Sequence, residues 1–178
     1  MINVLINGIC GKMGNEVAKL VLQEEDMNLV GGLDSHPRSN SSYPIYSDIK
    51  LFSELPNVII DFSAPESTIF LLPYCMSHHI PMVIATTGFT KEQQNEILDA
   101  SVQIPIFQSS NMSYEITLVS QIIAELSQKL PEADIEIVET HHNQKKDSPS
   151  GTALLLANSI NAEGSYIYEF NRMQKREK

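Results

Sequence analysis

The chain opens on an apolar run, "INVLI" at residues 2–6, too short for a helix and closed by Asn-Gly, which predicts a buried strand. Within residues 13–24, Met13, Val17, Leu20 and Val21 recur at helical spacing, predicting an amphipathic helix with those four on its inner face. The exchange then repeats. "MNLVGGL" (27–33), "NVIIDF" (57–62), "MVIA" (82–85) and "IPIF" (104–107) read as strands, and "TKEQQNEILDA" (90–100) reads as a helix. "PESTIFLLPYCMSHH" begins with a proline suited to a first helical turn, while Pro73 inside it predicts a kink or a split. Strands that are apolar throughout and separated by helices belong to parallel sheets covered on both faces. The fold class is therefore α/β, a doubly wound (Rossmann) parallel-sheet domain.

After Phe107 the pattern changes. Residues 113–130 read as a longer amphipathic helix, with Ile116, Val119, Ile122, Ile123 and Leu126 in register. "DIEIVET" (134–140) alternates as a half-buried strand does, and "SGTALLLANSI" is again helical. This α+β tail sets a boundary near Asn111, giving one domain over 1–111 and a second over 112–178.

Composition narrows the function classes. The 178 residues suffice for one ordinary domain with a small second one, and 42% hydrophobic with 19% charged content is that of a soluble globular chain. No apolar run approaches the roughly 18 residues of a membrane span, and no secretory signal is legible at the start, so no membrane partner is expected. Cys10 and Cys75 fit neither a disulfide framework nor a CxxC metal site, which points to reduced thiols and a cytoplasmic location. A net charge of −10 argues against nucleic acid as a partner. The basic "RMQKREK" at the C-terminus reads as an exposed tail.

Candidate chemistry begins in "INGICGKMG", where Gly8, Gly11 and Gly14 follow the first strand and open the first helix. Gly8 permits the tight turn and Gly14 close packing of helix on sheet. Backbone N–H groups at the helix start would receive a pyrophosphate. Glycines in such a turn can be purely structural, and Cys10 stands where the full fingerprint has its middle glycine. Asp34, 20 residues after Gly14 and at the end of the second strand, is where a carboxylate holds an adenosine ribose. Such a carboxylate repels a 2′-phosphate. The cofactor expected is NADH or NADPH with a lean towards NADH, although His36 and Arg38 nearby are suited to meeting a phosphate.

The second cluster is "ETHHNQKKDSPSGTALLL". In an extended chain His141 and His142 point to opposite sides, so only one can face a given substrate atom. A metal site built from Glu139 with either histidine lacks a third ligand at suitable spacing. Solvent-exposed histidines at a strand end are the bland alternative. Ser150, Gly151 and Thr152 lie at a helix N-terminus, where free amides bind anions, although Ser150 also reads simply as an N-cap. With Lys145 and Lys146 beside them, these residues describe a receptor for a carboxylate, and a lysine there can donate a proton.

That stretch, "ETHHNQKKDSPSGTA", resembles the signature E-x-H-H-x-x-K-x-D-x-P-S-G-T-A of the 4-hydroxy-tetrahydrodipicolinate (dihydrodipicolinate) reductase family at every fixed position. "GKMG", "DFSAPE" (61–66), "ATTGF" (85–89) and "SSNMS" (109–113) follow in family order, so the resemblance covers essentially the whole chain. It implies reduction of the cyclic product of dihydrodipicolinate synthase to tetrahydrodipicolinate with NADH or NADPH, in diaminopimelate and lysine biosynthesis. His141 would be the catalytic histidine and Lys145 the proton donor. His142, Ser150, Gly151 and Thr152 would hold a small dicarboxylate substrate. Gly8, Ile9, Cys10, Gly11, Lys12 and Met13 would line the pyrophosphate, and Asp34 the ribose. Ala85, Thr86 and Thr87, with Ser109, Ser110, Asn111 and Met112, would run beside the nicotinamide half, and no metal is implied.

The chain departs from the family at Ala85, where glycine is common, and at "YEIT", which brings Glu115 and Thr117. It also departs in length, since family members run on past a segment resembling "NRMQKREK". The expectation is a substrate domain that is incomplete relative to the family. The family is homotetrameric through that domain, so a monomer or weak dimer is expected here. Two other functions remain open: a dinucleotide-binding module with little turnover, and a different Rossmann dehydrogenase acting on a semialdehyde or hydroxy acid. The thiol-using form of the latter needs a cysteine nucleophile, and neither Cys10 nor Cys75 is well placed for that role.

Overall fold

The computed structural model describes residues 1–143, 148–162, 164 and 166–170, and within them the chain divides into two compact units, Met1–Ser110 and Asn111–Lys178. In the first unit, β1 (Ile2–Asn7), α1 (Lys12–Val21), β2 (Met27–Leu33), β3 (Ile45–Tyr46), β4 (Val58–Asp61), α2 (Pro65–His78), β5 (Met82–Ile84), α3 (Lys91–Ser101) and β6 (Ile106–Gln108) follow in chain order. The six strands form one parallel sheet in the order β3-β2-β1-β4-β5-β6. Strand order reverses at β1, and the crevice beyond the carboxyl ends at such a switch point is where α/β sheets take ligands.

The pleat of β1 distributes the core. Val4 and Ile6 point to one face, where they meet Ile9, Ala18, Val21 and Leu29, so that face is covered by α1. Leu5 points to the other, against Ile59, Leu72, Cys75, Met82 and Ile97, which belong to β4, α2, β5 and α3. Both faces are thus dry, as the unbroken apolar strands require. Between Val4 and Leu5 the register of β1 on β2 slips by one, leaving Val30 as the extra residue of a bulge.

Three expectations change in detail, and one element is new. The inner face of α1 is Gly14, Ala18 and Val21, with Val17 partly buried, whereas Met13 and Leu20 are 56% and 58% exposed. Small residues let the helix lie close on the sheet, and that rotates the bulkier apolar ones outward. Pro73 neither splits nor ends α2, which runs unbroken from Pro65 to His78. Leu71, Leu72 and Cys75 anchor it to the core, while Pro73 lies on the exposed side where water can solvate the carbonyl it leaves unbonded. The last strand starts at Ile106, after Pro105, whose carbonyl accepts from Met82 N–H. The two-residue β3 (Ile45–Tyr46) is a strand that the sequence pattern does not announce.

The second unit contains α4 (Tyr114–Lys129) and α5 (Gly151–Ile160), packed on each other. Residues 134–140, expected as a strand, are not in one. A strand exists only in a ladder, and the ladders of the described residues are those of the first unit's sheet; Ile137 and Val138 are exposed. No helix among the described residues is long and apolar enough to cross a membrane.

Candidate functional site

In the first unit the loop after β1 is folded back under backbone control. Gly8 N–H donates to Leu33 O (2.8 Å) and Gly11 N–H to Gly8 O (3.0 Å). Gly8 sits at φ +79°, where a side chain is strained, and a Cβ there would collide with the carbonyl of Phe62. A Cβ on Gly14 would strike the backbone of Gly8. Gly11 is the N-cap of α1 and brings no side-chain acceptor, and the first turn carries no acidic residue. The amides of Lys12 and Met13 therefore open the helix without a carboxylate or hydroxyl to neutralise its positive end. By contrast, α3 opens on a full capping box between Thr90 and Gln93.

Asp34, just past β2, joins this loop. Its Oδ2 accepts from Cys10 N–H (3.0 Å) and its Oδ1 from His36 N–H (3.0 Å), while Arg38 Nη2 donates to Cys10 O (2.8 Å). A carboxylate has about four acceptor positions, so capacity for ribose hydroxyls remains. Burial, with help from the Asp34 carboxylate, raises the Cys10 thiol above its ordinary 9.0. Burial and then Asp61 push Cys75 up to about 12. Both shifts favour the protonated thiol, the form that is not a nucleophile.

Beneath the sheet's carboxyl edge lies a feature the sequence did not reveal. Asp61, wholly buried at the end of β4, accepts from Asn7 Nδ2 (2.9 Å), from the Ser63 amide (3.2 Å) and hydroxyl, and from the Thr68 and Thr86 hydroxyls. Thr86 Oγ1 also accepts from Ser63 N–H (3.0 Å). The Thr86 side chain, 6% exposed, is therefore engaged with the frame; of the expected trio, Thr87 is the exposed member and Ala85 is half-buried. Ser109 follows β6, its N–H donating to Ile84 O (3.1 Å), and Ser110 is exposed. The glycine loop, Asp34, Ala85–Thr87 and Ser109–Ser110 all succeed the carboxyl ends of neighbouring strands.

The second unit gathers the other expected residues. Asn111 Nδ2 donates to Thr152 Oγ1 (2.7 Å) and Asn111 Oδ1 accepts from Ser113 N–H (2.8 Å), which ties the start of α4 to the start of α5. Ser150, 4% exposed, caps α5 by accepting Ala153 N–H (3.1 Å). The Gly151 and Thr152 amides head the helix with no intrahelical acceptor. Glu139 Oε1 accepts Ser150 N–H (2.9 Å) and its Oε2 lies 3.7 Å from His141 Nδ1. His142 is exposed, as is Met112. Glu115, unexpected near a site for anions, belongs to the start of α4: Ser113 donates to it (2.7 Å), and this with its own amide holds the carboxyl below its ordinary 4.5. Lys145 and Lys146 lie outside the described residues; among the described residues no metal-binding cluster occurs.

Comparison with known proteins agrees along the length of the chain. Residues 2–112 match the family "Dihydrodipicolinate reductase, N-terminus" and residues 115–178 match "Dihydrodipicolinate reductase, C-terminus". The 4-hydroxy-tetrahydrodipicolinate reductase of Clostridium tetani is 40% identical over all of this chain and 72% of its own length. That of Caldanaerobacter subterraneus is 42% identical over 94% of this chain and 68% of its own. A dipicolinate-bound dihydrodipicolinate reductase from Paenisporosarcina superposes with a TM-score of 0.70 at 27% identity, covering 99% of this chain and 71% of that one. The aspartate dehydrogenase of Thermotoga maritima, at 13% identity and a TM-score of 0.52 over 69% of this chain, shares the fold alone. The chain is a member of the dihydrodipicolinate reductase family.

Proposed function

We propose that this chain reduces 4-hydroxy-tetrahydrodipicolinate to tetrahydrodipicolinate with a nicotinamide dinucleotide, a step of diaminopimelate and lysine biosynthesis in the cytoplasm. The observation that carries the reading is the intact "ETHHNQKKDSPSGTA" loop in a chain of this family, opening a helix whose first amides face no acceptor of their own. The first unit fits the cofactor: the glycine cradle leaves no room for a Cβ, α1 opens uncapped, and Asp34 stands beside it. Gly8–Met13 would hold the pyrophosphate and Asp34 the adenosine ribose, which favours NADH. Ala85–Thr87, Ser109, Ser110, Asn111 and Met112 would border the nicotinamide half. When bound, the reduced nicotinamide supplies the hydride.

The chain's own residues do the rest. Gly151 and Thr152, with Ser150 and His142, hold the carboxylates of the substrate. Lys145 delivers a proton to the atom that becomes electron-rich as the conjugated imine is reduced, and His141 is oriented beside it. General acid catalysis of this kind contributes about 10²–10⁴-fold. Residues 1–111 are read as the dinucleotide domain and 112–178 as the substrate domain, with the chain a monomer or weak dimer in light scattering. The deciding experiment follows NADH absorbance after addition of freshly generated substrate. Turnover establishes the reductase. NADH binding without turnover would leave a dinucleotide-binding module, and a failure to bind NADH would end both readings.

A further inference from the structure

Resting on that assignment of His141, we propose that Glu139 is a positioning residue whose single carboxylate serves both halves of the substrate loop. Glu139 and His141 lie two residues apart and their side chains approach each other. One oxygen of Glu139 accepts the Ser150 amide at 2.9 Å and thereby fixes the turn that opens α5. The other faces His141 Nδ1 at 3.7 Å, beyond a hydrogen bond but within ion-pair range. The two side chains are 27% exposed for Glu139 and 39% for His141, so both carboxylate and ring are partly withdrawn from solvent.

A negative charge beside a receptor for a dicarboxylate is costly unless it is engaged. Here one oxygen accepts from a backbone donor and the other lies within ion-pair range of an imidazole. Its effect on His141 is to favour the proton on Nδ1, leaving Nε2 as the nitrogen with a lone pair. Glu139 thus touches neither substrate nor cofactor in this reading. It acts through Ser150 on binding and through His141 on the chemical step.

Two substitutions in the full chain separate these roles. Glu139→Gln keeps a carbonyl oxygen for Ser150 N–H and removes the charge; Glu139→Ala removes both. The readouts are steady-state kcat and KM, calorimetric affinity for dipicolinate, and the imidazole nitrogen shifts of His141 by NMR. Glu139→Gln should lower kcat, move the His141 proton towards Nε2 and leave dipicolinate affinity unchanged. Glu139→Ala should also weaken dipicolinate about tenfold, the equivalent of one lost hydrogen bond. Wild-type kcat in the Gln variant, wild-type dipicolinate affinity in the Ala variant, or an unchanged His141 tautomer in both would overturn the proposal. If the unsubstituted chain binds dipicolinate without oxidising NADH, the proposed activity fails, while the dipicolinate and tautomer arms still decide the role of Glu139.

Discussion

The two units bury very different things. Every fully buried apolar side chain among the described residues lies between Val4 and Ile104, whereas the second unit buries only Ser127 and Ser150 to that degree. In α4 the half-buried face runs through Ile116, Ser120, Ile123, Ala124 and Ser127, and Leu118, Val119, Ile122 and Leu126 stay exposed. The first unit therefore owns its own hydrophobic driving force, whereas in the second α4 and α5 pack on each other with apolar side chains that are only half-buried among the described residues. Sites that need adjustable geometry are drawn from the less stable parts of a fold, and the proton-transfer residues proposed above belong to the second unit.

The largest expected effect tests whether the weakly buried unit carries the chemistry. Lys145→Ala and His141→Ala should each lower kcat by about 10²–10⁴-fold with NADH affinity unchanged in a fluorescence titration. Lys146→Ala should do little. A collapse of turnover in Lys146→Ala alone would mean that the loop is aligned one residue out.

Next in size is the contrast in packing itself. Ile59→Ala, in the centre of the sheet, should cost about 2–5 kcal/mol in urea denaturation. Ile122→Ala, on the exposed side of α4, should stay within about 0.5 kcal/mol. Equal costs would mean that α4 is covered in solution. Asp34→Ala should weaken NADH by about 1.5–3 kcal/mol and NADPH by less, measured by paired titrations of the two cofactors.

The effect of Cys75 is absent at neutral pH and emerges only in alkaline solution. Its thiol ionises at about 12 in the folded chain against 9.0 ordinarily, so folding keeps a proton that the unfolded chain gives up. Its contribution is fully present below 9.0 and is lost as pH rises towards 12, at up to about 1.4 kcal/mol per pH unit. Denaturation curves across that window should be less steep in pH for Cys75→Ala than for the unsubstituted chain.

Local signals were legible and remote ones were not. β2 was read to its last residue because its apolar run is bounded on both sides, and α3, read over 90–100, was placed to within one residue of Lys91–Ser101. The face of α1 was misjudged because periodicity weighs bulk, while the contact with the sheet is made by Gly14 and Ala18. The segment 134–140 has the alternation of a strand, yet alternation alone does not build a ladder. The glycine loop, Asp34 and the histidine-lysine loop stand out because each packs its chemistry into a short window. Asp61 does not, since its donors come from Asn7, Ser63, Thr68 and Thr86, up to 54 residues away. Glu139 was visible as a residue but not as a hinge between His141 and Ser150, because the Ser150 contact spans 11 residues through a turn.

The buried Asn7–Asp61 network has a kinetic consequence. Ordering a flexible turn costs about 1–2 kcal/mol per residue, and a ligand that must do the ordering arrives at a shape that exists only part of the time. The turns after β4 and β5 are already joined from below, through Ser63 and Thr86, to a carboxylate that water does not reach. A dinucleotide would meet a rim whose outline does not depend on its presence. Its association rate should then follow encounter and orientation alone, rising in proportion to concentration without a plateau, and the Ser63 amide should exchange with solvent no faster in the free protein than in the complex.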